Sequence, residues 1–169
     1  IWNHQARLVP NQSRSNDGFG QAVEIVGSIV VVGAYAADTQ QGSGSGAAYV
    51  FEGEAGSWRQ QSRFVPPEAS ENDRFGSAVA FDGDVGFIGA PGDNEPNGAG
   101  SGSVYWYIIE RGVWGQQLKL SAQQGDENDN FGTAVDIDGD MAVIGAAGDE
   151  DPNGPDGGSA YVFERRPSG

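Results

Sequence analysis

Asn72-Asp73-Arg74-Phe75-Gly76-Ser77-Ala78-Val79 lies near the middle of the chain, and its pattern occurs again on both sides. The stretches Asn16-Asp17-Gly18-Phe19-Gly20 and Asn128-Asp129-Asn130-Phe131-Gly132 lie 56 residues before and after it, and each leads into an Ala-Val pair. Further matches at the same period are Trp2, Trp58 and Trp114, then Gln5, Gln61 and Gln117, then Gly46, Gly102 and Gly158. Three copies of one 56-residue unit therefore fill the chain of 169 residues.

Alternating hydrophobic residues and turn residues place four strands in each copy. In the second copy, strands A to D run roughly Gly76 to Phe81, Val85 to Ala90, Gly102 to Ile108 and Trp114 to Leu120. Asp82-Gly83-Asp84 between strands A and B is a hairpin signal of the Asp-Gly type. Because no helical periodicity intervenes, the pattern predicts an all-β fold of four-stranded antiparallel β-propeller blades.

Two segments of the second copy carry a family resemblance. Phe75-Gly76-Ser77-Ala78-Val79 followed by Ile88-Gly89-Ala90-Pro91 resembles the FG-GAP repeat of integrin α-chain propellers and of many bacterial extracellular proteins. The other copies keep Phe-Gly but lack the proline, ending at Tyr35 and Ala147. The resemblance implies a propeller and an extracellular, secreted location. It leaves the activity open, since family members serve in adhesion, carbohydrate binding and lipid-anchor hydrolysis.

The chain, residues 1–169, is predicted to form one propeller half-domain that is out of phase with its blades. Residues 2–9 correspond to a strand D without strands A to C before it, and the third copy ends with strand C at Tyr161-Val162-Phe163. The structural repeats thus run about 10–65, 66–121, and 122–169 plus 1–9. Unpaired strand edges tend to find partners, and propeller rings typically hold about 4 to 8 blades.

We therefore predict a homodimer of six blades, in which the leading strand of each copy completes the last blade of its partner. The alternative is that the chain is a fragment of a longer protein whose further blades complete the ring.

Charge narrows the range of partners. The chain has 24 acidic and 9 basic residues and a formal net charge of −15, which disfavours binding to nucleic acid. No apolar run approaches the roughly 18 residues of a membrane-spanning helix, so membrane insertion is not expected. With no cysteine, disulfides and thiolate metal sites are excluded.

Two B-to-C loops have the composition of a calcium site. They place oxygen-bearing side chains at alternate positions before a glycine, which is typical of calcium loops. The predicted ligands are Asp93, Glu95 and Asn97 in the second copy, and Asp149, Asp151, Asn153 and Asp156 in the third. The alternative is that these residues are ordinary constituents of exposed turns. The A-to-B segments, including Asp82-Gly83-Asp84, are too short to hold an ion and depart from the calcium loop of integrin propellers.

The remaining recurrent residues favour structural roles. The Asn-Asp pairs are expected to fix the D-to-A turn, the following Phe to pack between blades, and the tryptophans to pack within the blades. Arg7, Arg63 and Lys119 are interpreted as solvated strand residues. His4 is the single histidine, so a catalytic triad or a histidine-bound zinc is disfavoured. We predict a non-catalytic scaffold that binds itself and a protein ligand, with a carbohydrate-binding propeller as the alternative.

Overall fold

The structure is a computed structural model that describes residues 1–54, 56–110, 113–150, 154 and 157–166. All regular structure in these residues is β-strand, arranged in three antiparallel sheets that we call blades 1 to 3. Blade 1 contains β1 (Val23–Val26), β2 (Ile29–Ala34), β3 (Ala47–Glu54) and β4 (Ser57–Phe64). Blade 2 contains β5 (Ala78–Asp82), β6 (Val85–Ala90), β7 (Ser103–Glu110) and β8 (Val113–Leu120). Blade 3 contains β9 (Phe131–Asp138), β10 (Met141–Ala146) and β11 (Ser159–Glu164).

Each blade is a meander, so the predicted all-β blade architecture is confirmed. In blade 2, Asp82 pairs with Val85, which leaves Gly83 and Asp84 as a two-residue hairpin turn. Gly83 has φ +58°, a conformation that glycine adopts readily. The interpretation of this segment as a tight hairpin is therefore confirmed.

The outer strands β4 and β8 carry the same irregularity. Val50 pairs with Ser62 while the next residue, Phe51, pairs with Gln60, so Gln61 is the extra residue of a bulge. The pairing of β7 with β8 skips Gln117 in the same way. Gln61 and Gln117, which recur in the sequence repeat, thus mark the same bulge in β4 and β8.

The hydrophobic core lies between blades, because alternate residues of each strand face opposite neighbours. One cluster joins blade 1, through residues such as Val31, to blade 2, through residues such as Phe81. A second cluster joins Phe87 of blade 2 to Ile144 of blade 3. A third covers the face of blade 1 that points away from blade 2, and Leu8 packs against it.

The Phe of each Phe-Gly pair anchors these clusters. Phe75 and Phe131 are fully buried, and each meets a tyrosine of its own blade edge-on, at ring-centroid distances of 5.3 Å to Tyr105 and 5.4 Å to Tyr161. Edge-to-face pairs of this kind are a favourable arrangement of aromatic rings. The predicted packing role of this residue is confirmed.

Glycine is required where neighbouring blades touch. A Cβ on Gly33 of blade 1 would lie 1.9 Å from the carbonyl oxygen of Gly76, and a Cβ on Gly89 of blade 2 would lie 2.0 Å from that of Gly132. Any larger side chain would separate the two backbones. The recurrent Phe-Gly and Gly-Ala pairs therefore form a repeated contact between one blade and the next.

The two ends of the repeat array differ from its middle. Residues 1–9 belong to no strand, and within the single chain they do not pair with β11. β11 pairs with β10 along one edge, and no described residue pairs with its other edge. No helix of membrane-spanning length and apolarity occurs in the part of the chain that the structure describes.

Candidate functional site

The D-to-A turn of each repeat is built around a buried aspartate. The carboxylates of Asp17, Asp73 and Asp129 each accept a hydrogen bond from the backbone N–H three residues earlier, at 2.6–2.7 Å. The asparagines before them have φ between +65° and +72°, a left-handed conformation that asparagine tolerates. The predicted turn-forming role of the Asn-Asp pairs is confirmed.

Two of these carboxyl groups have raised pKa values. Burial is the main cause that raises the pKa of Asp73 to about 6; the nearby carboxylate of Asp93 contributes to the rise, while the hydrogen bond from Ser70 and the charge of Lys119 oppose it. Burial also raises the pKa of Asp129 above its usual range. The Oδ1 atom of Asp73 has no hydrogen-bond partner among the described residues. The acidic end of the blades therefore contains carboxyl groups that favour a nearby cation.

In blade 2 that cation is a lysine of the outer strand. The Nζ of Lys119 lies 2.7 Å from Oδ2 of Asp93, and it lies 5.8 Å from the centroid of the Tyr105 ring. The hydroxyl of Tyr105 donates to the same Asp93 oxygen at 3.2 Å. Lys119 of β8 thus contacts both Asp93, in the loop between β6 and β7, and Tyr105 of β7.

In blade 1 the basic residue at the same repeat position contacts the tyrosine. Ala37 replaces the aspartate, and the guanidinium of Arg63 lies 5.7 Å from the centroid of the Tyr49 ring. Its Nε also donates to the Tyr49 hydroxyl at 3.1 Å. The interpretation of the recurrent basic residues as solvated was therefore wrong for Arg63 and Lys119. A signal was present in the sequence, since three of only nine basic residues recur at one repeat position.

Blade 3 has the acceptor without the cation. The hydroxyl of Tyr161 donates to the carboxylate of Asp149, which is buried. Burial is the main cause that raises the pKa of Tyr161 to about 12, so its hydroxyl stays protonated and available as a donor at neutral pH. No described residue occupies the position that Lys119 has in blade 2.

The predicted calcium ligands are not gathered into one site in blade 2. Asp93 is buried against Lys119, Glu95 is exposed, and the amide nitrogen of Asn97 donates to the carbonyl of Ala122 at 2.8 Å. In blade 3, Asp149 contacts Tyr161, whereas Asp151, Asn153 and Asp156 lie outside the described residues. No group of three or more acidic or histidine side chains placed to hold a metal ion occurs in the described ranges.

Two of the three recurrent tryptophans, Trp58 and Trp114, pack in the blades as predicted. The Trp114 ring lies 5.1 Å from Phe81 and 5.4 Å from Phe64, measured between centroids. Trp58 packs against the outer cluster of blade 1, with its ring over Gly53. Trp2 is fully exposed, and His4 is exposed as well.

An open cavity of about 250 Å³ lies between blades 2 and 3. The residues that line it include Leu120, Ile137, Ala142 and Phe163, and these are the repeat equivalents of the residues that surround Trp114 in blade 2. The indole nitrogen of Trp106, another lining residue, is buried without a hydrogen-bond partner in the described structure. Sequence reasoning missed this cavity because its lining comes from strands of two blades, which only the packing of blade 2 against blade 3 brings together.

The outermost faces of the array are apolar and open. Val23 and Ile25 of blade 1 are 62% and 61% exposed, and Val143 and Val162 of blade 3 are 40% and 66% exposed. Their repeat equivalents at the two internal contacts belong to the buried clusters or pack directly against them.

The FG-GAP repeat family model matches the chain three times, at residues 2–51, 58–107 and 114–163. The chain belongs to the FG-GAP repeat family. Each matched segment begins at a recurrent tryptophan and ends in strand C, so the family repeat begins with strand D and is out of phase with the blade. A comparison with curated proteins gave no match. FG-GAP repeats form β-propeller-like repeat domains and are typical of extracellular proteins.

Proposed function

We propose that this FG-GAP chain is a non-catalytic extracellular scaffold that assembles with a second copy into a six-bladed propeller. The observation that carries the proposal is that the open face of blade 1 and the open face of blade 3 are repeat equivalents of two faces that pack against each other inside the chain. Each is the counterpart of a face that is buried at the contact between blades 1 and 2 and again at the contact between blades 2 and 3.

The side chains of the two faces match by position. At the first internal contact, Val31 and Val50 of blade 1 belong to the same cluster as Val79 and Phe81 of blade 2. The equivalent contact between blade 3 of one copy and blade 1 of the other would bring Val143 and Val162 against Val23 and Ile25. Because hydrophobic burial contributes about 25 cal/mol per Å² of apolar surface, covering both contacts would strongly favour association.

The backbone supports the same contact. In blade 3, Gly145 and Gly158 stand where Gly33 and Gly46 approach the next blade, yet a Cβ on either would meet nothing closer than 3.3 Å. Gly20 of blade 1 has φ +95° and no atom within 4 Å of a built Cβ, whereas its equivalent Gly76 is tightly packed. This open space on blade 3 supports docking of Gly20 of a second copy there.

A two-fold axis closes such an arrangement, because each face of one copy then meets the other face of its partner. Six blades fall within the usual range for propellers, and closure would cover the open edge of β11 with a fourth strand. The assembled ring would present the acidic B-to-C loops of both copies at one end, where the net charge of −15 per chain favours a protein ligand with a basic surface over nucleic acid.

Solution mass tests the assembly. Light scattering should give twice the 17.6 kDa of the chain at micromolar concentration. Val162→Asp should convert the protein to a monomer, because it places a charge in the proposed contact. Val113→Asp is a matched control, since Val113 is 68% exposed but lies on the outer strand of blade 2. A wild-type chain that remains a 17.6 kDa monomer throughout the micromolar range would overturn the proposal.

Calcium is proposed as an additional stabilising ion of the blade 3 loop, with Asp151, Asn153 and Asp156 as its side-chain ligands and Asp149 left to Tyr161. The blade 2 loop fits an ion poorly, because Asp93 contacts Lys119, Asn97 donates to the carbonyl of Ala122, and Gly100 stands where blade 3 has Asp156. Calcium should raise the thermal midpoint of the wild-type protein relative to EDTA. Asp151→Asn should remove this shift and Glu95→Gln should leave it; an unchanged midpoint in wild type would contradict the proposal.

A carbohydrate-binding propeller is the second candidate. The cavity between blades 2 and 3 supports it, because Trp106, Phe87 and Phe163 line it beside Asp140 and Glu164. Glycan-array binding that is lost in Trp106→Ala would favour this function. Binding to no glycan, with assembly intact, would favour the scaffold.

A further inference from the structure

The outer edge of blade 3 and the cavity beside it together have the features of a receptor for a strand D. In blade 2, strand D is held to its blade in three ways: backbone pairing with strand C, insertion of Trp114 beside Phe81, and the contact of Lys119 with Asp93. Blade 3 has the partner of each of these contacts: the open edge of β11, the cavity beside it, and Asp149 with Tyr161. By the 56-residue repeat, the strand D that matches blade 3 is residues 1–8.

We propose that residues 1–8 of a second copy bind along β11 as its fourth strand, with Trp2 in the cavity between blades 2 and 3 and Arg7 against Asp149 and Tyr161. This inference rests on the proposed assembly and adds the register and the side chains that specify it.

The register is fixed by blades 1 and 2, which agree residue by residue. Trp58 pairs with Gly53 and Trp114 pairs with Ile109, while Arg63 pairs with Tyr49 and Lys119 pairs with Tyr105. Carried into blade 3, these pairings place Trp2 opposite Arg165 and Arg7 opposite Tyr161. Gln5 would then occupy the bulge that Gln61 and Gln117 form in the other blades.

The cavity fits an indole ring by position. Leu120 and Ile137 line it where Phe64 and Phe81 contact Trp114 in blade 2. Ala142 stands where Gly86 lies directly beneath the Trp114 ring. Blade 1 has Val30 at this position, and Trp58 there packs over Gly53 instead, so the ring of Trp2 would lie displaced from the place that Trp114 has in blade 2.

Charge favours the same strand. Arg7 is exposed in the single chain, and it is the repeat equivalent of the two basic residues that stack on a strand C tyrosine in blades 1 and 2. Its guanidinium would meet a buried carboxylate, Asp149, whose counterpart in blade 2 is held by a lysine at 2.7 Å. A cation at this point would relieve the repulsion between Asp129 and Asp149.

Leu8 shows that the leading segment is already positioned for this role. It packs against the outer cluster of blade 1, as its equivalent Phe64 packs against Tyr107 of blade 2 at a centroid distance of 5.2 Å. The last residue of strand D therefore packs against the next blade along the chain. If blade 3 of a second copy packs against the open face of blade 1, residues 1–8 lie beside the open edge of its β11.

The first test measures the dimer dissociation constant by sedimentation velocity. Trp2→Ala should raise it by at least about 30-fold, as expected for a central tryptophan of an interface. Arg7→Gln should raise it by about 5-fold, because the equivalent lysine is partly solvated. Asn3→Ala is the matched control on the same strand and should leave it unchanged. All three residues are exposed in the single chain, so folding of the protomer should be unaffected.

The second test fixes the register by disulfide formation, which is clean because the chain has no cysteine. The repeat places Asn3 directly opposite Glu164, so the double variant Asn3→Cys with Glu164→Cys should form a covalent dimer on oxidation. Asn3→Cys with Val143→Cys should not, because β10 lies one strand further from the edge, beyond the roughly 7 Å limit between bridged Cα atoms.

The outcomes separate this inference from the proposed assembly. A wild-type dimer that shows neither the Trp2 effect nor the disulfide would overturn the strand register while leaving the assembly intact. A monomeric wild type would overturn both. A disulfide formed within one chain would show self-closure and would also overturn the exchange between copies.

Discussion

Blades 2 and 3 have nearly the same sequence pattern but different surroundings. All six residues of β6 in blade 2 are buried, whereas in the equivalent β10 Met141 and Val143 are exposed. β7 is covered by β8 on its outer edge, while β11 alternates between half-buried and exposed residues. The difference shows that a blade of this repeat obtains its burial from two neighbours and a fourth strand. It follows that the same substitution should have different consequences in the two blades.

The largest difference is expected at the glycines of strand B. Gly89→Ala places a Cβ 2.0 Å from the Gly132 carbonyl oxygen, so it should lower the free energy of unfolding by at least about 3 kcal/mol. In the equivalent Gly145→Ala the nearest atom is 3.5 Å away, and the cost in a dilute chain should stay within about 0.5 kcal/mol. Urea denaturation at low protein concentration measures both.

At high concentration Gly145→Ala should also prevent assembly, because the methyl group meets the Gly20 backbone of the second copy. Equal destabilisation by the two substitutions in a dilute chain would show that the face of blade 3 is not open.

The second comparison concerns the tryptophans of strand D. Trp114→Ala removes an aromatic ring packed against Phe64 and Phe81, and it should cost about 3 kcal/mol of unfolding free energy. Trp2→Ala should cost less than about 0.5 kcal/mol in a dilute chain, because Trp2 is fully exposed there. A marked loss of stability for dilute Trp2→Ala would show that the leading segment is held by its own chain.

The third comparison uses pH. The pKa of Asp73 in the folded state is about 6, above its ordinary value of 3.8, so its contribution to stability is present below about pH 4 and is lost as the pH rises through 6. The unfolding free energy of wild type minus that of Asp73→Asn should fall by roughly 2 kcal/mol between pH 4 and pH 7. Asp129→Asn, the equivalent change in blade 3, should show a dependence of the same sign, because burial also raises the pKa of Asp129. A difference that is flat with pH for Asp73 would contradict the raised pKa.

Much of the fold could be predicted from the sequence because its signals are local and repeated. The Asp-Gly hairpin, the left-handed asparagines and the period of the Phe-Gly pairs are each specified within a few residues. The role of Lys119 could not be predicted in this way. Its partner Asp93 lies 26 positions earlier in the chain, and only the meander brings the B-to-C loop against strand D. The cavity lies between blades 2 and 3, and its lining residues come together only when the two blades pack.

The smallest expected difference lies in the hairpin turns at the other end of the blades. The Asp82 carboxylate accepts a hydrogen bond from the N–H of Gly139 at 2.7 Å, so the turn of blade 2 is tied to the turn of blade 3. The site is exposed, and Asp82→Ala should cost about 1 kcal/mol. Asp138 is the equivalent residue of blade 3, and its partner would be the N–H of Gly27 in a second copy. Asp138→Ala should therefore leave the stability of a dilute chain unchanged and weaken the dimer by about 5-fold.

Amide hydrogen exchange distinguishes the two cases, because Gly27 should become protected only as the protein concentration rises, and only when Asp138 is present. Protection of Gly27 that does not depend on concentration would place its hydrogen-bond acceptor within the same chain. That result would contradict the contact between blade 3 of one copy and blade 1 of another.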